Sequence, residues 1–199
     1  MLIAIEGLDG SGKTTQARLL VEHLRRLGRE VLPVEEPGTT PAGRAIREIL
    51  LDHGREIAPL TELLLYEASR AQMVREVVRP ALEAGKIVVS DRFSLSSLAY
   101  QGYGRGLPLE LIRELNKIAT GGLEPDLTIL LDISPEEGLR RKGFLDRMEG
   151  SGLEFYRRVR EGYLRSVPEP PRGEVFDAHA GREELFQRIA ALVEGLLEG

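Results

Sequence analysis

The 199-residue chain has no cysteine, which excludes disulfides and thiolate metal sites, and its three scattered histidines offer no metal-ligand spacing. No stretch approaches the roughly 20 apolar residues of a membrane span. The first residues enter an apolar run without a basic leader, so the cytoplasm is the expected location. The basic excess of a nucleic-acid binder is also missing: 27 Lys and Arg stand against 32 Asp and Glu, a net charge of -5. Neither nucleic acid nor membrane is therefore an expected partner, and a small anionic substrate would need local positive charge. Asparagine occurs once, at Asn116, and arginine greatly outnumbers lysine, a bias shared by heat-adapted proteins and GC-rich genomes. Internal repeats, low-complexity segments and interdomain linkers are absent. The length suits one domain over residues 1–199, with room for a sizeable core.

What is present is organised around Gly7-Leu8-Asp9-Gly10-Ser11-Gly12-Lys13-Thr14, in which two glycines separated by four residues precede Lys and Thr. An apolar run, Leu2-Ile3-Ala4-Ile5, stands before it, and residues 15–27 carry apolar side chains at helical spacing after it. Strand, loop and helix thus follow in the order a phosphate-binding loop requires. The glycines let backbone N–H groups turn inward onto phosphate oxygens, and the helix adds its positive end. Gly7, Gly10, Ser11, Gly12, Lys13, Thr14 and Thr15 are the expected ATP-binding set. Lys13 would reach the terminal phosphates, and the Thr14 hydroxyl would ligate Mg²⁺.

Residues 30–34 read as a second strand that Pro33 weakens. Thr40 and Pro41 suit the N-cap and first position of a helix through Leu51. Residues 58–84 have helical periodicity and place Tyr66 and Arg70 on one face. A strand at 86–91 delivers Asp91-Arg92 at its C-terminal end, where open α/β sheets hold their ligands. A helix at 107–120, a strand at 126–133, a helix after Ser134, a helix at 153–167, an edge strand at 174–176 and a helix at 182–197 complete the pattern. Alternating strands and helices predict an α/β, three-layer phosphate-loop NTPase fold: a largely parallel sheet of about five strands with helices on both faces.

Asp91 is placed to support the metal indirectly, and Arg92 can grip a phosphate as a planar fork. Residues 140–165 hold eight cations against four acids, against the trend of the chain. Arg140, Arg141 and Arg147 flank a glycine-bounded connection and are candidates for a small lid at about 140–152; Arg157 to Arg165 read as a solvated helix face.

Together these motifs resemble the thymidylate kinases. The resemblance spans most of the chain, through Ile5 to Thr15, Glu36-Pro37-Gly38, the Tyr66 and Arg70 helix, Asp91-Arg92-Phe93, Ala99-Tyr100-Gln101-Gly102 and Leu145-Asp146-Arg147. It implies transfer of the γ-phosphoryl group of MgATP to the 5′-phosphate of dTMP, usually by a homodimer. It further implies that Asp9 faces the acceptor, that Arg92 and Arg47 grip its phosphate, and that Tyr66 stacks on thymine while Arg70 meets its carbonyl. Ser96 and Ser97 would contact the base, and Tyr100 would crowd the 2′ position and select deoxyribose. Gly10 in the loop, with Arg141 and Arg147 beyond, implies the class with lid arginines; the catalytic set is then Asp9, Lys13, Arg92, Arg141 and Arg147. Two departures stand out: Tyr66 replaces phenylalanine, and Glu35 replaces an arginine common before Glu-Pro-Gly. A GTP switch is disfavoured because Asn116-Lys117 is followed by Ile118-Ala119, without the aspartate that reads guanine.

Overall fold

The computed structural model describes residues 1–52, 54–142, 152–169 and 172–198. β1 (Leu2–Gly7), β2 (Val31–Glu35), β3 (Ile87–Asp91), β4 (Leu127–Asp132) and β5 (Gly173–Asp177) form one parallel sheet in the order β2-β3-β1-β4-β5. The order explains the patterning. β1 is buried at all six residues, as an apolar run in a two-faced parallel sheet must be, whereas β2 and β5 are edges and each bury only two of five. Pro33 is tolerated because β2 pairs on one side only. Ile3 and Ile5 face a core with Leu20, Leu24, Ile189 and Val193, while Leu2 and Ala4 face a second core with Val74 and Val78. Helices therefore cover both faces of the sheet.

The helices are α1 (Lys13–Arg26), α2 (Pro41–Leu51), α3 (Pro59–Met73), α4 (Arg79–Glu83), α5 (Ser94–Ser97), α6 (Leu109–Thr120), α7 (Pro135–Lys142), α8 (Leu153–Ser166) and α9 (Arg182–Glu198). Thr40 caps α2 as expected, its hydroxyl accepting from Gly43 N at 2.9 Å, and Gly121 ends α6 in the left-handed region at φ 59°. α1 starts at Lys13, two residues earlier than its apolar spacing suggests. The helix expected over 58–84 is not uniform: a π-helical segment, Val74–Val78, separates α3 from α4. Pro80 supplies a reason, since it donates no N–H and its ring crowds the carbonyl four residues back, so the wider turn relieves both. A second π segment, Leu98–Gly104, continues α5. Among the described residues no helix is long and apolar enough to cross a membrane.

Parallel register brings the C-terminal ends of the strands together. Ile5 lies beside Asp91, and Asp91 beside Glu35. The chemistry gathers at that edge.

Candidate active site

Between β1 and α1 the loop turns through Gly10 at φ 79° and Gly12 at φ 92°. At Gly10 a side chain is excluded twice, by the positive φ and because a Cβ would lie 2.1 Å from the carbonyl oxygen of Gly138, so α7 sits directly on the loop. Lys13 is 6% exposed and donates from Nζ to Leu8 O at 2.7 Å, with Asp9 3.6 Å away. Burial, reinforced by Arg92, lowers its ammonium to about 8 against the pull of Asp9, Asp91 and Glu6. The Ser11 Oγ is buried without a hydrogen-bond partner. Such an orphan hydroxyl in a glycine-turned loop at a helix start suits an anion.

Thr14 Oγ1 donates to Asp91 Oδ2, joining α1 to the end of β3. A hydroxyl and a carboxylate are the hard oxygen donors that Mg²⁺ prefers, and this ion takes few protein ligands when phosphates and water supply the rest. Among the described residues no group of three or more His, Cys, Asp or Glu gathers for a metal.

Arg92 follows at φ 72°, the one non-glycine residue with positive φ among those described. Its Nη1 donates to Gly7 O at 3.2 Å, Ser96 Oγ at 3.1 Å and Tyr163 Oη at 2.9 Å. Its Nη2 donates to Asp9 Oδ1 and, at 3.3 Å, to Tyr100 Oη, and the guanidinium lies 5.1 Å from the centre of the Tyr100 ring. Fully buried Glu6 stands beneath, accepting from Phe93 N at 2.7 Å, Ser96 Oγ at 2.6 Å and Tyr163 Oη at 3.2 Å. Burial raises its carboxyl, against the Ser96 hydrogen bond and the Arg92 charge.

A cavity of about 250 Å³ opens from this cluster. Its lining includes Asp9, Lys13, Thr14, Arg47, Tyr66, Arg70, Asp91, Arg92, Ser96, Ser97 and Tyr100. Every residue expected on the acceptor side is therefore among its walls. Arg70 is the surprise, because it is 1% exposed and its donors are already engaged. Nε donates to Glu36 at 3.1 Å; Nη1 donates to Glu67 at 2.6 Å, Ser97 at 3.0 Å and Asn116; Nη2 donates to Phe93 O at 3.3 Å and pairs with Glu36. Two carboxylates thus share one guanidinium, and burial, with the Glu67 charge adding to it, pushes Glu36 up to about 7. Arg47 donates to Pro37 O at 2.6 Å from α2.

The candidate lid is only partly in view. Arg147 lies outside the described residues. Arg141 donates to Glu137 at 2.7 Å and to Ala178 O at 2.9 Å, and does not line the cavity. Arg140 pairs with the same Glu137, whose carboxyl the two guanidinium hydrogen bonds pull down to about 2. On α8, Arg165 keeps to a pair within its own helix, as a solvated face would. Arg160 instead grips Asp132 at 2.7 Å with two nitrogens, and Arg158 donates to Gly104 O.

Glu6, Glu67, Asn116 and Tyr163 complete the site without having been singled out from sequence. Their signal was weak: Glu6, Asn116 and Tyr163 stand tens of residues from their partners, and Glu67, three residues before Arg70 on α3, reads as an ordinary pair within a helix. Asn116, the one asparagine of the chain, and a charge at Glu6 inside an otherwise apolar strand were the available hints.

The sequence profile described as thymidylate kinase matches residues 5–189. The thymidylate kinase of Chlorobium luteolum is 52% identical over 202 residues, covering 95% of this chain and 94% of that protein. That of Deinococcus radiodurans is 51% identical over 197 residues, covering 97% and 96%. Among solved structures, the thymidylate kinase of Ehrlichia chaffeensis superposes with a TM-score of 0.81 at 32% identity, covering 98% of both chains. With a parallel sheet, a phosphate loop, a profile match over residues 5–189 and relatives about 50% identical over nearly the full chain, the chain belongs to the thymidylate kinase family.

Proposed function

We propose that the cleft holds the γ-phosphate of ATP against the 5′-phosphate of dTMP, and that the residues named above divide the family's reaction, dTMP and ATP to dTDP and ADP, between them. The observation that carries this assignment is that Lys13, Asp9 and Arg92 meet at one end of a cavity whose walls also include Tyr66, Arg70 and Tyr100. No general base is required. A phosphate monoester with a second pKa near 6 is already largely dianionic at neutral pH, so the task is to bring two repelling anions into line and neutralise them.

In this reading the loop from Gly7 to Thr15 cradles ATP, with Lys13 moving from Leu8 O to the terminal phosphates. Mg²⁺ would be held by Thr14 and, through water, by Asp91, and it would supply charge neutralisation between phosphates. Arg92 and Arg47 hold the acceptor phosphate, Asp9 orients Arg92 and the sugar, Tyr66 stacks on the base, and Ser96, Ser97 and Tyr100 shape the sugar and base pocket. Arg70 reaches a base carbonyl only by giving up an acceptor it holds here. Arg141 and Arg147, from a lid at about 140–152, add positive charge over the transferring group; Arg141 must then leave Glu137 and Ala178. A homodimer accompanies this assignment, because the neighbouring helices α2, α3 and α6 expose Ile49, Leu60, Leu64, Leu111 and Ile118. A cytoplasmic location goes with these nucleotide substrates.

The test is ADP formation from MgATP with dTMP, dUMP, dCMP, dGMP and UMP as separate acceptors. Turnover should be strongest with dTMP and weaker with dUMP, since one methyl in an apolar pocket is worth only about 1–3 kcal/mol. UMP should give little. Equal turnover of several acceptors would remove the assignments of Tyr66, Arg70 and Tyr100 while leaving the phosphate chemistry.

A further inference from the structure

We infer that Tyr163 of α8 is a positioning residue for Arg92, setting the guanidinium in the orientation that receives the acceptor phosphate. The inference rests on the reading of Arg92 as that phosphate's grip. Tyr163 is 1% exposed, and its hydroxyl meets three polar groups drawn from β1, from the turn after β3 and from α5. Arg92 Nη1 lies 2.9 Å away, Ser96 Oγ 2.8 Å and Glu6 Oε2 3.2 Å.

The donor count orders these contacts. Arg92 can only donate, so the tyrosine oxygen accepts from it and its own proton goes onward. That proton lies between Ser96 Oγ and Glu6 Oε2, and Ser96 donates its own to Glu6 at 2.6 Å. The result is a relay, Arg92 to Tyr163 to Ser96 and Glu6, with a fixed cation at one end and a buried carboxylate at the other. Arg92 needs such a hold because it sits at φ 72°, where a side-chain-bearing residue is strained and keeps its place only if its surroundings determine it.

Tyr163 is itself held firmly. α8 packs against the 98–104 π segment with two glycines at the contact: a Cβ on Gly104 would come 2.6 Å from the Phe155 ring, and one on Gly162 would come 2.7 Å from the Tyr103 ring. The helix therefore cannot stand further off without opening that seam, and the Tyr163 oxygen has one place to be. Its ring also meets Tyr100 edge-on at 6.1 Å, so the two tyrosines flank the same guanidinium.

The experiment compares Tyr163→Phe, Arg92→Ala, the double variant and Val159→Ala by calorimetric titration of dTMP, steady-state kinetics and thermal unfolding. Tyr163→Phe keeps the ring and removes the hydroxyl that accepts from Arg92 and reaches Ser96 and Glu6. The Kd and KM for dTMP should rise about tenfold with KM for ATP unchanged. In the Arg92→Ala background the same substitution should have no further effect. Val159→Ala removes core packing from the same helix; it should lower the unfolding temperature without weakening dTMP binding. A tyrosine that merely fills the core would behave as Val159 does. Normal dTMP affinity in Tyr163→Phe, or a penalty that multiplies in full with that of Arg92→Ala, overturns the inference alone. Normal dTMP affinity in Arg92→Ala overturns the reading on which it stands, and the inference with it.

Discussion

Single residues of this enzyme act through backbone geometry and burial as much as through their own chemistry. Gly10 is the clearest case: with φ 79° and Gly138 O 2.1 Å from where a Cβ would stand, position 10 has no room for any other residue unless α7 moves. Gly10→Ala should lose about 1–3 kcal/mol of stability and most of its turnover, read from denaturant titration and the coupled ADP assay. Glu36 shows burial acting on charge. Its carboxyl titrates near 7 in the folded chain and near its ordinary 4.5 when unfolded, so between these values the folded state holds a proton that the unfolded state has released. Its contribution to stability is complete below about 4.5 and is lost as pH rises toward 7. Thermal unfolding temperatures measured from pH 5 to 8 should fall less steeply for Glu36→Gln than for the native chain. The phosphate loop was legible residue by residue because its chemistry is contiguous. Tyr163 was not, because it stands 71 positions from Arg92 at a spacing indistinguishable from core.

Among the elements, strands and most helices followed the apolar pattern, and the departures have local causes. Pro80 accompanies the π segment in the long helix after residue 58, and the periodicity there carries no trace of it. α2 is the element whose start was most legible, with Thr40 capping and Pro41 at the first turn. It also carries Arg47 to the cavity wall. Thr40→Ala should cost about 1 kcal/mol in chemical denaturation, and the loosened first turns should raise KM for dTMP more than KM for ATP. α8 carries the opposite lesson: a cationic stripe that reads as solvated uses Arg160 to clamp Asp132 at the end of β4 and Arg158 to hold Gly104 O.

At the scale of the whole molecule, α2, α3 and α6 form a layer whose outer side keeps large apolar residues in water, Leu60 and Leu64 of α3 being 46% and 47% exposed. The proposed homodimer would bury that layer against a second copy. Leu64→Glu should shift the sedimentation profile from dimer toward monomer while leaving the far-ultraviolet spectrum of the monomer intact. If the wild-type protein sediments as a monomer at micromolar concentration, the dimer is wrong and the exposed leucines need another partner.

The sequence by itself determined the α/β class, the phosphate loop and the position of Asp91-Arg92 at a strand end, because each depends on neighbours within a few residues: apolar period, turn chemistry and contiguous motif. Family resemblance then named the acceptor-side residues. Only the tertiary structure decided how they are held. That Arg70 is clasped by Glu36, that Arg92 is tied through Tyr163 and Ser96 to Glu6, and that Gly10 meets Gly138 all depend on contacts between residues 34 to 157 positions apart in different segments. Such contacts arise when the parallel register draws the strand ends to one edge and burial leaves each charge to find its partner there.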